Sequence, residues 1–392
     1  MIAYNNKWLH NRYVQAQANE ALHEQCIDAA MHSAICKKHE VKFYTPNFFV
    51  RIGLAILALV VLSFVTALFA LMFKVSHAFG YLMMFMGLAS FTAAQMLIKR
   101  KSHYNSGLDN MLVWMAALFI WVGIFIKMLW DPAWFGNTPA PVNYADIKLS
   151  FAALAICTLL ALRFADTLMS IIATIALGCL VYYSCLHISA SAKIVVPFVL
   201  ILLFAIVYFM SNRAMKSRAT LLYHNCLLCV SITALVALYA SGDYYVAALI
   251  NHTGDIIGDD MVQNDSAQKV LTMGWFFWLW TFLIPVIYIG VGIRKRKITL
   301  IRVGIPLVAL SIITFRYYYH ILSPEMAMML GGMFVFITSY LLISRLRTPR
   351  GGFTFSSETF IRDTPDIGKL VTTELINSAA VAGSKPQNTD WG

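Results

Sequence analysis

The feature that most constrains this chain is a series of ten apolar segments separated by short polar connections. An α-helix rises about 1.5 Å per residue and the hydrocarbon of a bilayer is about 30 Å thick, so about 20 apolar residues cross it. The pattern therefore predicts an all-α integral membrane protein with about ten transmembrane helices. The segments lie at residues 49–73, 77–98, 110–130, 148–163, 166–187, 193–211, 219–241, 270–293, 298–319 and 325–344. Only 12% of the residues are charged, which excludes an ordinary soluble domain.

Basic residues concentrate in every second connection. Lys99–Lys101 follow the second segment and Arg294–Lys297 follow the eighth, whereas the connection between the seventh and eighth segments is acidic. Lys and Arg favour cytoplasmic loops, so the alternation predicts that both termini lie in the cytoplasm. The fourth segment is the shortest, because Lys148 and Arg163 bound its apolar part. Omitting it would destroy the alternation, so it is predicted to span the membrane.

The charge and hydropathy pattern divides the chain into three parts. Residues 1–47 are polar and are predicted to form a cytoplasmic helical segment without a cleavable signal peptide. Residues 48–345 form the predicted transmembrane domain. Residues 346–392 are rich in Ser, Thr, Gly and Pro, which predicts a largely disordered cytoplasmic tail. The net charge of +11 does not indicate a nucleic-acid partner, because the basic residues lie in the connections between spans.

Short motifs near both ends of the chain resemble one known family. Residues 39–54 read HEVKFYTPNFFVRIGL, residues 315–320 read FRYYYH before a Ser-Pro-Glu at 323–325, and residues 348–354 read TPRGGFT. These motifs resemble a bacterial family of polytopic membrane proteins catalogued as domain of unknown function 2157, in its Bacteroidetes-type version. The middle of the chain matches only as hydrophobic helices. The resemblance implies a multipass fold located in a bacterial inner membrane, and it brings no reaction, cofactor or binding residue.

A polar cluster at the end of the ninth segment is the candidate ligand site. Arg316 and His320 are four residues apart and therefore share a helix face, and Tyr317 lies beside them. Glu325 opens the tenth segment, where a carboxylate can pair with Arg316 and backbone N–H groups attract anions. The sequence predicts a cluster of Arg316, Tyr317, His320 and Glu325 that binds a small anion or a lipid head group. A clamp between two helices, or an aromatic belt with a snorkelling arginine, explains the same residues.

Further polar pairs and thiols have structural explanations. Arg163 and Asp166 lie at a predicted turn and are expected to form a solvated pair, with a gating ion pair as the alternative. His224, Cys226 and Cys229 lie inside one apolar helix, where residues two apart face different directions, so no metal is predicted. The seven cysteines are expected to be free thiols, and the acids of connection 242–269 to be solvated.

The sequence contains no motif that indicates catalysis. A phosphate-binding loop, a zinc-protease motif, a nucleophile elbow and a dinucleotide fingerprint are all absent, so neither an enzyme nor a cofactor is predicted. No Asp or Glu lies near the centre of a predicted helix, where cation-coupled transporters usually place one. Two functions stay open: a transporter-like protein with a small-molecule or lipid ligand, and a non-catalytic sensor or scaffold with a cytoplasmic protein partner.

Overall fold

The computed structural model describes residues 2–23, 26–73, 78–130, 144–188, 194–252 and 273–319, together with single helical positions between 326 and 344. Every regular element in this part of the chain is a helix, which confirms the all-α fold. Nine of the described helices are long and apolar enough to cross a membrane. They correspond to the first nine predicted segments. The bounds of the tenth segment and the predicted tail 346–392 lie outside the described residues.

The described helices follow one another with short connections. We number them in chain order. They are α1 (Asn6–His23), α2 (Ala29–Lys38), α3 (Phe48–Phe73), α4 (Phe79–Lys101), α5 (Leu108–Trp130), α6 (Ala145–Phe164), α7 (Thr167–Ile188), α8 (Val196–Ala214), α9 (His224–Gly242), α10 (Tyr244–His252), α11 (Gly274–Lys295) and α12 (Ile298–Tyr319).

The fourth predicted segment forms a full-length helix. Helix α6 begins at Ala145, three residues before the predicted start, and its 20 residues are enough to cross the bilayer. Lys148 therefore lies on the second turn of the helix, where its long side chain can reach the interface. Ala165, which adopts a left-handed conformation with φ of 50°, ends the helix and leads directly into α7.

The spanning helices alternate in direction, so their ends form two layers. One layer contains the basic ends of α4, α8 and α11, and we call it the basic end. The opposite layer contains the rings of Tyr244, Trp278 and Tyr318, and we call it the aromatic end. Helix pairs α4–α5, α6–α7, α8–α9 and α11–α12 pack along their lengths, and contacts of α5 with α6 and of α7 with α9 join the pairs.

Small residues bring α4 and α5 close together. A Cβ atom at Gly87 would lie 2.5 Å from Cγ1 of Ile120, and one at Gly123 would lie 2.7 Å from the carbonyl oxygen of Gly80. Membrane helices without a hydrophobic driving force between them associate by this kind of close backbone packing. Helix α3 lies at the edge of the bundle, and most of its apolar side chains are exposed, as a lipid-facing helix requires.

Candidate functional site

The structure describes only part of the predicted ligand cluster. Arg316 and Tyr317 lie on the last turn of α12, whereas His320 and Glu325 lie outside the described residues. Arg316 is partly buried. The ring of Tyr317 is 59% exposed and meets the ring of Tyr245 edge-on, with centroids 5.2 Å apart. The anion site formed by these four residues therefore stays a prediction.

A buried carboxylate, that of Asp243, organises the aromatic end. It lies between α9 and α10 and is 3% exposed. The hydroxyls of Tyr239, Thr281 and Thr314 donate to it over 3.2, 3.1 and 3.4 Å. The backbone N–H of Tyr245 donates to it over 3.2 Å. Asp243 therefore ties α9 and α10 to α11 and α12.

Aromatic rings close this end of the bundle around Asp243. Tyr244 stacks on Trp278 with centroids 4.5 Å apart and meets Tyr318 edge-on at 4.7 Å. The ring of Trp280 lies against Gly242, where a Cβ atom would come within 2.4 Å of it. The pKa of Asp243 is raised above its usual value, because burial disfavours the charged form more than the hydrogen bonds favour it.

The basic end contains a second buried carboxylate. Asp109, in the first turn of α5, is fully buried and accepts hydrogen bonds from the backbone N–H and the hydroxyl of Ser106, at 2.8 and 3.1 Å. The phenol of Tyr4 donates to its other oxygen over 3.3 Å. Nδ1 of His103 lies 3.0 Å from the Ser106 hydroxyl. The start of the chain therefore contacts the first turn of α5.

Aromatic contacts hold the start of the chain in this position. Tyr4 meets Phe43 and Tyr104 edge-on, with centroids 6.4 and 5.0 Å apart, and the guanidinium of Arg12 lies 4.3 Å from the centre of the Tyr104 ring. The backbone N–H of Ala3 donates to the carbonyl of Arg163 over 2.8 Å. These contacts connect the N-terminal segment directly to the spanning helices.

Asp166 is a second carboxylate at the basic end, and its setting differs from the solvated pair that the sequence predicted. The side chain is partly buried, and it accepts hydrogen bonds from the indole of Trp114 at 3.2 Å and from the backbone N–H of Met169 at 2.9 Å. Burial raises the pKa of Asp166 above its usual value. It acts as a cap at the start of α7 and links that helix to α5.

A cavity of about 420 Å³ lies among α6, α7, α8 and α9, towards the basic end. We call it the basic-end cavity. Its wall consists mainly of apolar side chains such as Leu154, Leu177 and Val230. Its few polar groups are the side chains of Thr158, Ser170, Thr174, Thr220, Tyr223 and Cys226. A mainly apolar pocket of this size with few polar groups is typical of small-molecule sites.

A smaller cavity of about 250 Å³ lies among α5, α6 and α7, towards the aromatic end. We call it the aromatic-end cavity. Asp146 and Tyr183 line one part of it, and Ile172, Ile175 and Ala176 line another. Trp121 also lines it, and the indole N–H of Trp121 is buried with no hydrogen-bond partner in the described part of the chain. A buried donor without a partner is costly, which makes this wall a candidate contact for a ligand.

The two cavities lie on opposite sides of α7. Ser170, Thr174 and Leu177 line the basic-end cavity, whereas Ile172, Ile175 and Cys179 line the aromatic-end cavity. At about 100° per residue these two sets fall on opposite faces of the helix. Together the lining residues of α7 extend from Ser170 to Tyr183, which covers most of the helix.

The thiols do not gather into a cluster. None of the seven cysteines forms a disulfide bond. Cys226 lines the basic-end cavity, and Cys179 lines the aromatic-end cavity. Among the described residues no three His, Cys, Asp or Glu side chains are arranged to hold a metal ion.

Lys127, near the aromatic end of α5, places its ammonium 4.0 Å from the centre of the Tyr81 ring.

Sequence reasoning missed both buried carboxylates. Asp243 was grouped with the acids of the long connection, because it follows an apolar segment without a distinguishing motif. Asp109 carries a recognisable signal: Ser106-Gly107-Leu108-Asp109 has the capping-box spacing, and the structure shows the Asp109 side chain reaching back to the Ser106 N–H. Its contact with Tyr4, 105 positions away, has no counterpart in a local pattern.

Comparison of the chain with protein-family models gives no match, and comparison with curated proteins gives none either. The resemblance to the family of domain of unknown function 2157 therefore stays a prediction.

Proposed function

We propose that this chain is a transporter-like protein of a bacterial inner membrane that binds a small molecule or a lipid between its helices. The observation that carries the proposal is the basic-end cavity, which has a volume of about 420 Å³ and a mainly apolar wall. A ligand that enters from the bilayer has an apolar part that cannot form hydrogen bonds. It therefore needs an apolar wall, because polar groups of the protein that it covered would lose their hydrogen-bond partners. Membership of the family of domain of unknown function 2157 is part of the proposal.

The polar groups of the basic-end cavity favour a ligand with one weakly polar part. Ser170 donates its hydroxyl to the carbonyl of Asp166 over 2.8 Å, and Thr174 donates to the carbonyl of Ser170 over 2.9 Å, so both hydroxyl oxygens can still accept a hydrogen bond. Tyr223 donates its phenol to the carbonyl of Leu162 over 2.6 Å. A ligand with a hydroxyl or a protonated carboxyl can donate to these oxygens, while its apolar part fills the rest of the cavity.

A second function rests on the position of the N-terminal segment. Helices α1 and α2 pack together through Val14, Ala18 and Ile35, and the residues before α1 reach Asp109 and Arg163 inside the bundle. A protein that binds α1 or α2 would therefore act on side chains that contact the spanning helices. This arrangement supports a role as a sensor or scaffold with a cytoplasmic partner, and it is compatible with ligand binding in the cavity.

The orientation is part of the proposal and has its own test. A phosphatase reporter inserted near residue 137, between α5 and α6, should be active because this connection would face the periplasm. The same reporter inserted after Lys216, between α8 and α9, should be inactive because the basic connection would lie in the cytoplasm. Activity at both positions, or the reverse pattern, would contradict the orientation.

Ligand binding can be tested with a photoactivatable fatty acid and a pair of neighbouring variants. Thr158 lines the cavity, whereas Leu159 is 68% exposed and faces away from it. Thr158→Trp should fill the cavity and reduce cross-linking to its lining peptides by about tenfold or more, since overfilled sites tolerate little added volume. Leu159→Trp adds an indole ring to the lipid-facing side and should leave the cross-linking unchanged. Equal cross-linking in both variants would refute the site.

A further inference from the structure

The aromatic-end cavity combines a carboxylate with an apolar interior. Asp146 lies in the first turn of α6, and its side chain is exposed. Tyr183 lines the same cavity from α7. Ile172 and Ile175, nearer the start of α7, form an apolar wall, and both are exposed at the surface of the bundle. The residues of α7 from Ile172 to Tyr183 give this cavity a length of about 16 Å along the helix axis.

The walls of the cavity offer aromatic rings and one unused donor. Trp121 stacks in parallel on Phe125, with centroids 5.9 Å apart and planes 4° from each other. Tyr183 meets Tyr182 edge-on at 5.1 Å. These contacts fix the two rings that line the cavity. The indole N–H of Trp121 is buried without a partner among the described residues, so a bound molecule that supplies an acceptor would satisfy it.

We propose that the aromatic-end cavity binds amphiphilic organic ammonium ions that carry a hydrogen-bond acceptor near the charge. The Asp146 carboxylate and the Tyr183 ring hold the ammonium group, the Trp121 N–H donates to the acceptor, and the apolar chain lies against Ile172 and Ile175. Aromatic rings and a carboxylate are the groups that recognise quaternary and primary ammonium ions in proteins. This site is separate from the basic-end cavity and depends neither on a ligand there nor on transport.

Two sources of such an ion share this chemistry. One is a free amphiphilic amine, and the other is an ethanolamine phospholipid, whose head group places phosphate oxygens beside an ammonium. Both offer a cation for Asp146 and an acceptor for Trp121. The charge distinguishes them from apolar molecules that merely fill the cavity.

Hexanoylcholine and its neutral isostere 3,3-dimethylbutyl hexanoate test the proposal in the purified full-length protein. The readout is the rate at which N-ethylmaleimide alkylates Cys179, which lines this cavity, measured by peptide mass spectrometry. Cys226 in the other cavity is the internal reference. Hexanoylcholine should slow alkylation of Cys179 about fivefold or more at saturation and leave Cys226 unaffected. Equal protection by the neutral isostere, or equal protection of both thiols, would overturn the proposal.

Three variants test which side chains contact hexanoylcholine. Asp146→Asn should raise the hexanoylcholine concentration for half-protection about fivefold, because water partly screens the contact with an exposed carboxylate. Trp121→Phe should raise it less, by about threefold, because only a neutral donor is lost. Glu40→Gln removes the same charge from an exposed side chain paired with Lys42 and should have no effect. An Asp146→Asn variant with unchanged half-protection would overturn the assignment.

Nanodiscs distinguish the two sources of the ion. If the head group of an ethanolamine phospholipid is the native occupant, discs that contain this lipid should raise the half-protection concentration relative to discs of phosphatidylglycerol alone. If the native ligand is a free amine, both kinds of disc should give the same value. If hexanoylcholine failed to protect Cys179 in both kinds of disc, ammonium binding would be refuted. This outcome would leave the test of the basic-end cavity unaffected.

Discussion

Asp243→Ala should destabilise the protein by about 3 kcal/mol or more, because it leaves several buried donors without an acceptor. The hydroxyls of Tyr239 and Thr314 and the N–H of Tyr245 all donate to this carboxylate. The midpoint of thermal unfolding in detergent should fall accordingly. Asp146→Ala removes an exposed carboxylate from the same end of the bundle and is the matched control, with a change of about 0.5 kcal/mol or less. Similar midpoints for the two variants would contradict the network.

The same carboxylate should make the stability of the protein decrease as the pH rises. The pKa of Asp243 is higher in the folded protein than in the unfolded chain, because burial disfavours the charged form. Its contribution to stability is therefore largest below the unfolded pKa and decreases as the pH rises through the folded pKa. Asp243→Asn should lack this dependence. Subtracting the unfolding midpoints of Asp243→Asn from those of the wild type at each pH isolates the contribution of the Asp243 carboxyl group to stability. If the wild type gained stability relative to Asp243→Asn as the pH rose, the predicted direction would be wrong.

Tyr4→Ala should release the start of the chain from the bundle at a cost of about 3–5 kcal/mol, the usual cost of truncating a buried aromatic side chain. Tyr4 is only 7% exposed, and it contacts Asp109, Phe43 and Tyr104. Limited proteolysis should cut within α1 faster in this variant than in the wild type. Tyr4→Phe keeps the ring contacts and should cost only about 1–2 kcal/mol, because the hydroxyl alone is lost.

The control for Tyr4→Ala is another tyrosine near the same end. Tyr44 is 48% exposed and stacks at a tilt on His103, 4.8 Å away. Tyr44→Ala should leave proteolysis of α1 nearly unchanged. If cleavage within α1 is as slow in Tyr4→Ala as in the wild type, then the contacts of Tyr4 do not hold the N-terminal segment.

The helices were predictable from the sequence because bilayer thickness dictates the length of each apolar segment. Helix α6 shows how well this works: the charge alternation required it to span, although its apolar part is short, and the structure gives it 20 residues. Its start was misplaced by three residues, because Asp146 and Lys148 look like connection residues although a helix end at the interface tolerates them.

The polar networks were not predictable because they depend on which helices meet. Asp243 finds its partners on α11 and α12, and Asp109 finds Tyr4 at the other end of the sequence. No spacing rule relates positions so far apart. The two cavities have the same origin, since they form where the residues of α6 and α7 leave space against α5 on one side and against α8 and α9 on the other.

Native mass spectrometry of the purified protein tests the central claim, that a ligand occupies the basic-end cavity, most directly. The wild-type protein released from mild detergent should carry one bound small molecule or lipid in a defined ratio. The Leu159→Trp variant should carry the same adduct, and the Thr158→Trp variant, whose new side chain fills the cavity, should have lost it. An adduct that persists at equal occupancy in Thr158→Trp, or a wild-type protein that carries none, would contradict the account.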